Sequence, residues 1–240
     1  MFFKLETHVH TKYSHDSIMP FWLLYLKCRF LSINYIAITE HNNLVGANKF
    51  REYCRKRGNK INVIIGEEIM TTEGEIIGLF LKNEIAAGLP PDITIKRILE
   101  QEGIVYIPHP YDLKRWKTVL KEYVIEENKN DIHCIEIHNG RNISTEYDEE
   151  QGKIAERYQI LPVIGSDAHT IFEIGRNYMI SKTEPNNPQN FLIAIQEQNF
   201  VINKCLKYSH WLTKIDRVIK FIIRRDFHGL YRTINKKFRR

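Results

Sequence analysis

Apolar and polar positions along the chain switch repeatedly between a period of two and a period near 3.6, which marks strands alternating with helices. Residues 2–7 read as a first strand. Pro20 opens a helix where its missing N–H costs least, and Trp22, Leu23, Leu26 and Phe30 give that helix an apolar stripe. Residues 35–39 read as a buried strand. Asn43 is placed to cap the next helix, which runs to about Arg57 and is closed by Gly58. A third strand over 61–65 precedes a strand over 75–81 that pairs as a hairpin with residues 67–72. The pattern then predicts a helix over 93–102, a strand over 104–107 and a helical region over 114–127. It continues with a strand over 132–137, a helix over 146–159 and a strand over 161–164. A short strand near 177–181 and a helix near 188–197 follow. Six or seven such β-α units imply a parallel α/β barrel, closed or incomplete. In such barrels chemistry gathers at the carboxyl ends of the strands.

That is where the unusual residues fall. His8 and His10 are two residues apart, so both leave the first strand on one side. His41, Glu68, His109, His138, Asp167 and His169 each follow or end a later strand. Histidines and carboxylates meeting at one mouth stabilise a fold poorly unless cations tie them together. Mixed nitrogen and oxygen donors favour zinc, manganese or iron over calcium or magnesium. A carboxylate such as Glu68 can bridge two ions and support hydrolysis by activated water. The alternation of a strand lets only one of Glu67 and Glu68 face the mouth. No phosphate-binding P-loop and no G-x-S-x-G elbow is present.

The order of the motifs is similar to that of the PHP (polymerase and histidinol phosphatase) family. H-x-H at His8, T-E-H at His41, G-x-E at Glu68, P-H-P at His109, E-x-H-N at His138 and G-S-D-x-H at Asp167 carry the resemblance, over about residues 4–185. It implies a distorted (β/α)7 TIM-like barrel with two or three divalent transition-metal ions (Zn, Mn or Fe). It further implies that His8, His10, Glu68 and Asp167 hold one ion. Glu68, His109 and His138 would hold a second, and Asp16, His41 and His169 a third. Glu68, Asp167 and His169 would carry catalysis. Two acidic positions are a methylene longer than the family pattern, Glu6 and Glu40, and both are expected to orient histidine rings. Arg141, Arg115 and Lys114 are candidate phosphate binders, by the fork of a guanidinium or the charge of an ammonium. The implied activity is hydrolysis of phosphate esters, chiefly phosphomonoesters of small molecules. A phosphodiesterase acting on short oligonucleotides and a non-catalytic metal-binding module are the alternatives.

Composition adds one asymmetry. The net charge of +6 conceals a tail, residues 201–240, with 12 Lys/Arg against 2 Asp/Glu, and a mildly acidic body. The expected division is a barrel over 1–200 and a basic helical extension over 201–240. Trp211, Ile215, Val218, Ile219 and Ile222 recur at helical spacing in that extension. It would pack on the barrel, lie on an anionic membrane surface, or hold nucleic acid. Four scattered cysteines without a C-x-x-C pair fit free thiols in a reducing cytoplasm.

Overall fold

The computed structural model describes residues 2–197, 199–226, 228, 229 and 231. Its sheet is built from β1 (Phe3–Val9), β2 (Tyr35–His41), β3 (Asn62–Thr71), β4 (Gly74–Leu79), β5 (Ile104–Ile107), β6 (Cys134–Asn139), β7 (Leu161–Gly165), β8 (Tyr178–Ser181) and β9 (Phe200–Val201). The spatial order is β7-β6-β5-β4-β3-β2-β1-β8-β9. Pairs β1–β2, β2–β3, β5–β6 and β6–β7 are parallel, as β-α units require. The β3–β4 hairpin and the antiparallel β8 beside β1 are the distortions of the barrel. The sheet curls until β1 meets the end of β7. There Val9 bridges Ala168, and the His10 amide donates to the Ala168 carbonyl at 2.9 Å. The result is a nearly closed, TIM-like α/β barrel.

Strand alternation divides the core in two. Tyr35 and Ala37 point inward to join Leu5, Ile64, Ile77, Tyr106 and Val163, which fill the barrel. Ile36 and Ile38, their neighbours, point outward to pack with Leu24, Phe50, Ile98 and Ile135 under the helices. The covering helices are α1 (Phe21–Leu31), α2 (Val45–Arg55), α3 (Pro91–Leu99), α4 (Glu122–Asn128), α5 (Thr145–Tyr158) and α6 (Pro188–Gln196).

Three expectations change. The helical region over 114–127 shrinks to α4. Before it, the Asp112 carboxylate accepts from the Lys114 amide at 2.8 Å and makes a turn where a helix was expected. On α1 the buried face is Phe21, Leu24 and Cys28, whereas Trp22, Leu26 and Phe30 of the expected stripe face solvent. In the C-terminal segment, α7 (Ser209–Ile223) packs on the barrel through its polar face rather than its apolar one. The part of the apolar pattern at Phe227, Ile234 and Phe238 lies outside the described residues. No helix among the described residues is long and apolar enough to cross a membrane.

Candidate metal centre

The register of β1 shifts against β2 between Glu6 and Val9. Two consecutive side chains, Thr7 and His8, therefore both enter the barrel. The Thr7 hydroxyl donates to the Ile164 carbonyl at 2.6 Å, and the His8 ring lies edge-on to Tyr106. His10 follows at the strand end. Its Nε2 lies 3.1 Å from His8 Nε2, 3.3 Å from Glu68 Oε2 and 3.6 Å from Asp167 Oδ1. His8 Nε2 lies 3.5 Å from Glu68 Oε1 and 3.8 Å from Asp167 Oδ1. A second group closes around Asp16, whose Oδ1 is 3.5 Å from His41 Nε2 and 3.3 Å from His169 Nε2. His109 points its Nε2 at Glu68 Oε1, 3.1 Å away. His109 and Asp167 both hold left-handed backbone, with φ of 30° and 48°, a costly conformation that aims their side chains into the mouth.

Glu68 thus stands among four histidines. Oε1 faces His8 and His109, and Oε2 faces His10 and His41, the last at 3.0 Å. Glu67 points away and accepts from the Ile85 amide at 3.0 Å. His138 is grouped otherwise: its Nδ1 is 2.9 Å from Asp148 and its Nε2 is 3.3 Å from Asn177. Beside His109 stands Glu75, 3.6 Å from His109 Nε2 and 3.7 Å from His41 Nδ1. Sequence reasoning passed over Glu75. The signal was the hairpin, whose register pairs Met70 with Glu75 and so puts Glu75 on the same face as Glu68. Burial, then the adjacent Glu68, raises the Glu75 carboxyl to about 8.

Each ring is held from behind. Glu136 accepts a hydrogen bond from His8 Nδ1 at 2.8 Å, so His8 presents Nε2 to the centre. Its other oxygen accepts from the His109 amide at 2.7 Å. Gly165 makes room for this carboxylate; a Cβ there would meet Glu136 Oε1 at 1.8 Å. His10 Nδ1 lies 3.0 Å from the Ser14 hydroxyl, which donates to Glu40. Glu40 therefore orients a histidine through Ser14, and it lies so close to α2 that a Cβ on Gly46 would meet it at 2.2 Å. Glu6 orients no histidine: the β1 shift turns it outward, where it accepts from the Gly175 amide at 2.5 Å.

The cations are also tied. Arg115 reaches Asp167 at 2.6 Å and Asp112 at 2.7 Å, while Lys114 contributes its backbone amide to the same turn. Arg141 is buried, donates to Thr213 of α7 at 2.8 Å and lies 3.9 Å from Glu173. From the same helix Arg217 reaches Asp16 at 3.3 Å, so α7 spans the rim from the end of β6 to the loop after β1.

Burial alone would push the carboxyls of Glu68, Asp167 and Asp16 up. The facing histidines, with Arg115 at Asp167, reverse this and hold all three well below the usual carboxylate range. Burial together with His169 and His41 pushes His10 down, toward the neutral imidazole that ligates metals. Burial opposes charge on His8 too, yet Glu68, Asp167 and Glu136 draw a proton onto it. A centre that recruits protons against burial has a deficit of positive charge. Asp16 Oδ1, Glu68 Oε2 and His109 Nδ1 are buried without a hydrogen-bond partner, each a cost of about 1–3 kcal/mol if left so. His8, His10 and Glu68 offer donor atoms within 4.8 Å of one another, as do His10, His41 and His169. Nitrogen and oxygen donors at this spacing fit divalent transition-metal ions.

Comparison with known proteins places the fold and the family. The chain is 36% identical over 199 residues to the uncharacterised protein MJ0417 of Methanocaldococcus jannaschii, covering 79% of this chain and 77% of that one. Its fold is similar to a two-domain protein of Bacteroides vulgatus described as containing a predicted PHP-like metal-dependent phosphoesterase. That match has a TM-score of 0.64 at 17% identity and covers 83% of this chain and 64% of that one, so the chain spans under two thirds of it. A lesion-specific endonuclease of Pyrococcus furiosus shares the fold with a TM-score of 0.56 at 13% identity, over 82% of this chain and 56% of that one. The PHP domain itself matches residues 6–210, which take in all of the barrel but the first three residues of β1 and every residue grouped around Glu68, and the chain belongs to the PHP family.

Proposed function

We propose that the chain is a metal-dependent hydrolase of phosphate esters, acting foremost on phosphomonoesters of small molecules. The observation that carries this reading is the placement of Glu68, one oxygen between His8 and His109 and the other between His10 and His41. His8, His10, Glu68 and Asp167 would hold one ion. Glu68 and His109, with Glu75 beside them or with His138, would hold a second, and Asp16, His41 and His169 a third. Two or three Zn, Mn or Fe ions there would supply Lewis-acid activation of water and neutralise phosphoryl charge. The chain's own groups do the rest. Glu136 and Ser14 fix the tautomers of His8 and His10. Arg115, positioned by Asp112, would exchange its Asp167 contact for a phosphoryl oxygen. The α7 helix crosses the rim, bonded to Arg141 and Asp16, and a helix there favours a small ester over a long strand.

The test is turnover of p-nitrophenyl phosphate and of the bis-ester by protein loaded with Mn, Zn or Fe. Faster release from the monoester is expected. Glu68→Gln, which removes the central charge while keeping the shape, should lower the rate about a hundredfold or more and reduce bound metal. Full rate in that variant would overturn the site. Preference for the bis-ester would overturn the monoester reading, and metal binding without turnover of either would favour the non-catalytic module.

A further inference from the structure

Helix α7 is inside out. Ser209, Thr213, Asp216 and Lys220, at i, i+4, i+7 and i+11, are its buried residues. Trp211, Ile215, Val218 and Ile222 repeat that spacing two residues later, about 200° around the helix. Trp211, Val218 and Ile222 are 62%, 38% and 53% exposed. Polar bonds prevent the helix from rolling over. Lys220 donates to the carbonyls of Lys12 and Ser14, Thr213 accepts from Arg141, and His210 bonds the Arg141 carbonyl at 2.9 Å. Asp216 is buried on the same side. Ile18 begins a second outward row, continued at four-residue spacing by Trp22, Leu26 and Phe30 of α1, which are 38% to 84% exposed. Exposed Lys214, Arg224 and Arg225 accompany the apolar row of α7.

We propose that the outward face of α7 is a docking surface for an anionic lipid bilayer. An apolar row with an indole, accompanied by cations, matches an interface of acyl chains under negatively charged headgroups. Nucleic acid would need the cations at the centre and the isoleucines elsewhere. A second copy of the chain would set one cationic border against another. Because α7 also spans the rim of the metal centre, docking turns that rim toward the bilayer. This inference rests on the exposed face alone and holds whatever the centre hydrolyses.

The experiment is cosedimentation of the full chain with vesicles of phosphatidylcholine, with and without phosphatidylglycerol, alongside tryptophan emission. Binding about tenfold stronger to the anionic vesicles is expected, with a blue-shifted emission and weakening by salt. The double variant Val218→Asp with Ile222→Asp should lose binding while keeping its circular dichroism and melting temperature. Equal binding by the variant overturns the proposal, as does equal binding to neutral vesicles. A dimer in light scattering that the variant abolishes, without vesicle binding, assigns the face to self-association. Duplex DNA binding unaffected by the variant assigns the basic charge to nucleic acid and also overturns it.

Discussion

Glu136 fixes two histidines at once, through the His8 ring and the His109 amide. Glu136→Gln replaces a carboxylate by an amide whose single oxygen can accept from the His8 ring or from the His109 amide, but not from both. Metal affinity, read by competition with a chromogenic chelator, should fall about 10–100-fold. Gly165→Ala should act in the same direction, because its methyl group would displace that carboxylate. At this scale the sequence was partly legible. Histidines and acids at strand ends declare themselves, since a polar residue after an apolar run has few structural uses. Glu75 lies inside a strand and reads as ordinary alternation, and Glu136, although it opens the E-x-H-N motif, has no role that the motif alone declares. Glu6 was misread because a one-residue shift in β1, which leaves no mark in composition, turned it away from the mouth.

Among the elements, α7 differs from the others in what holds it. Its contact with the barrel is polar, and buried Lys220 bonds the carbonyls of Lys12 and Ser14. Lys220→Met removes the donor to two carbonyls, and about 1–3 kcal/mol of docking should go with it. Hydrogen exchange over 209–223 should then quicken about tenfold or more, while amides of β2 and β3 keep their protection. Unchanged exchange would show that other contacts hold the helix. Helical spacing in this segment was plain from Trp211, Ile215, Val218 and Ile222. Which side faces the barrel was not, because periodicity fixes the width of a face and not its partner. The same limit applies to α1, where the outward row has larger side chains than the buried one. Parallel β-α units were legible from alternation, whereas the turns over 112–119 were not, since Asp112 competes locally with helix for the backbone.

For the whole molecule, the mouth concentrates ionised groups that only cations can reconcile. Stripping metal with a chelator should therefore lower the melting temperature as well as abolish turnover. Ligand at a hundredfold over its Kd adds about 2.7 kcal/mol, which is about 5–10 °C for a chain of this size. Calorimetry with and without added Mn or Zn measures it, and an unchanged melting point would mean that the centre is stable with protons alone. Closure of the barrel brings β1 and β7, the first and last strands of the parallel core, to this one mouth. Metal binding should accordingly stabilise the barrel as a unit.

The fit between Glu40 and Gly46 reaches beyond this chain. A longer acid at one position is admitted by a missing methyl at the other, so the two should drift together through descent: relatives with aspartate at the first are released to carry alanine at the second. Gly46→Ala alone should impair the protein, and adding Glu40→Asp should restore it.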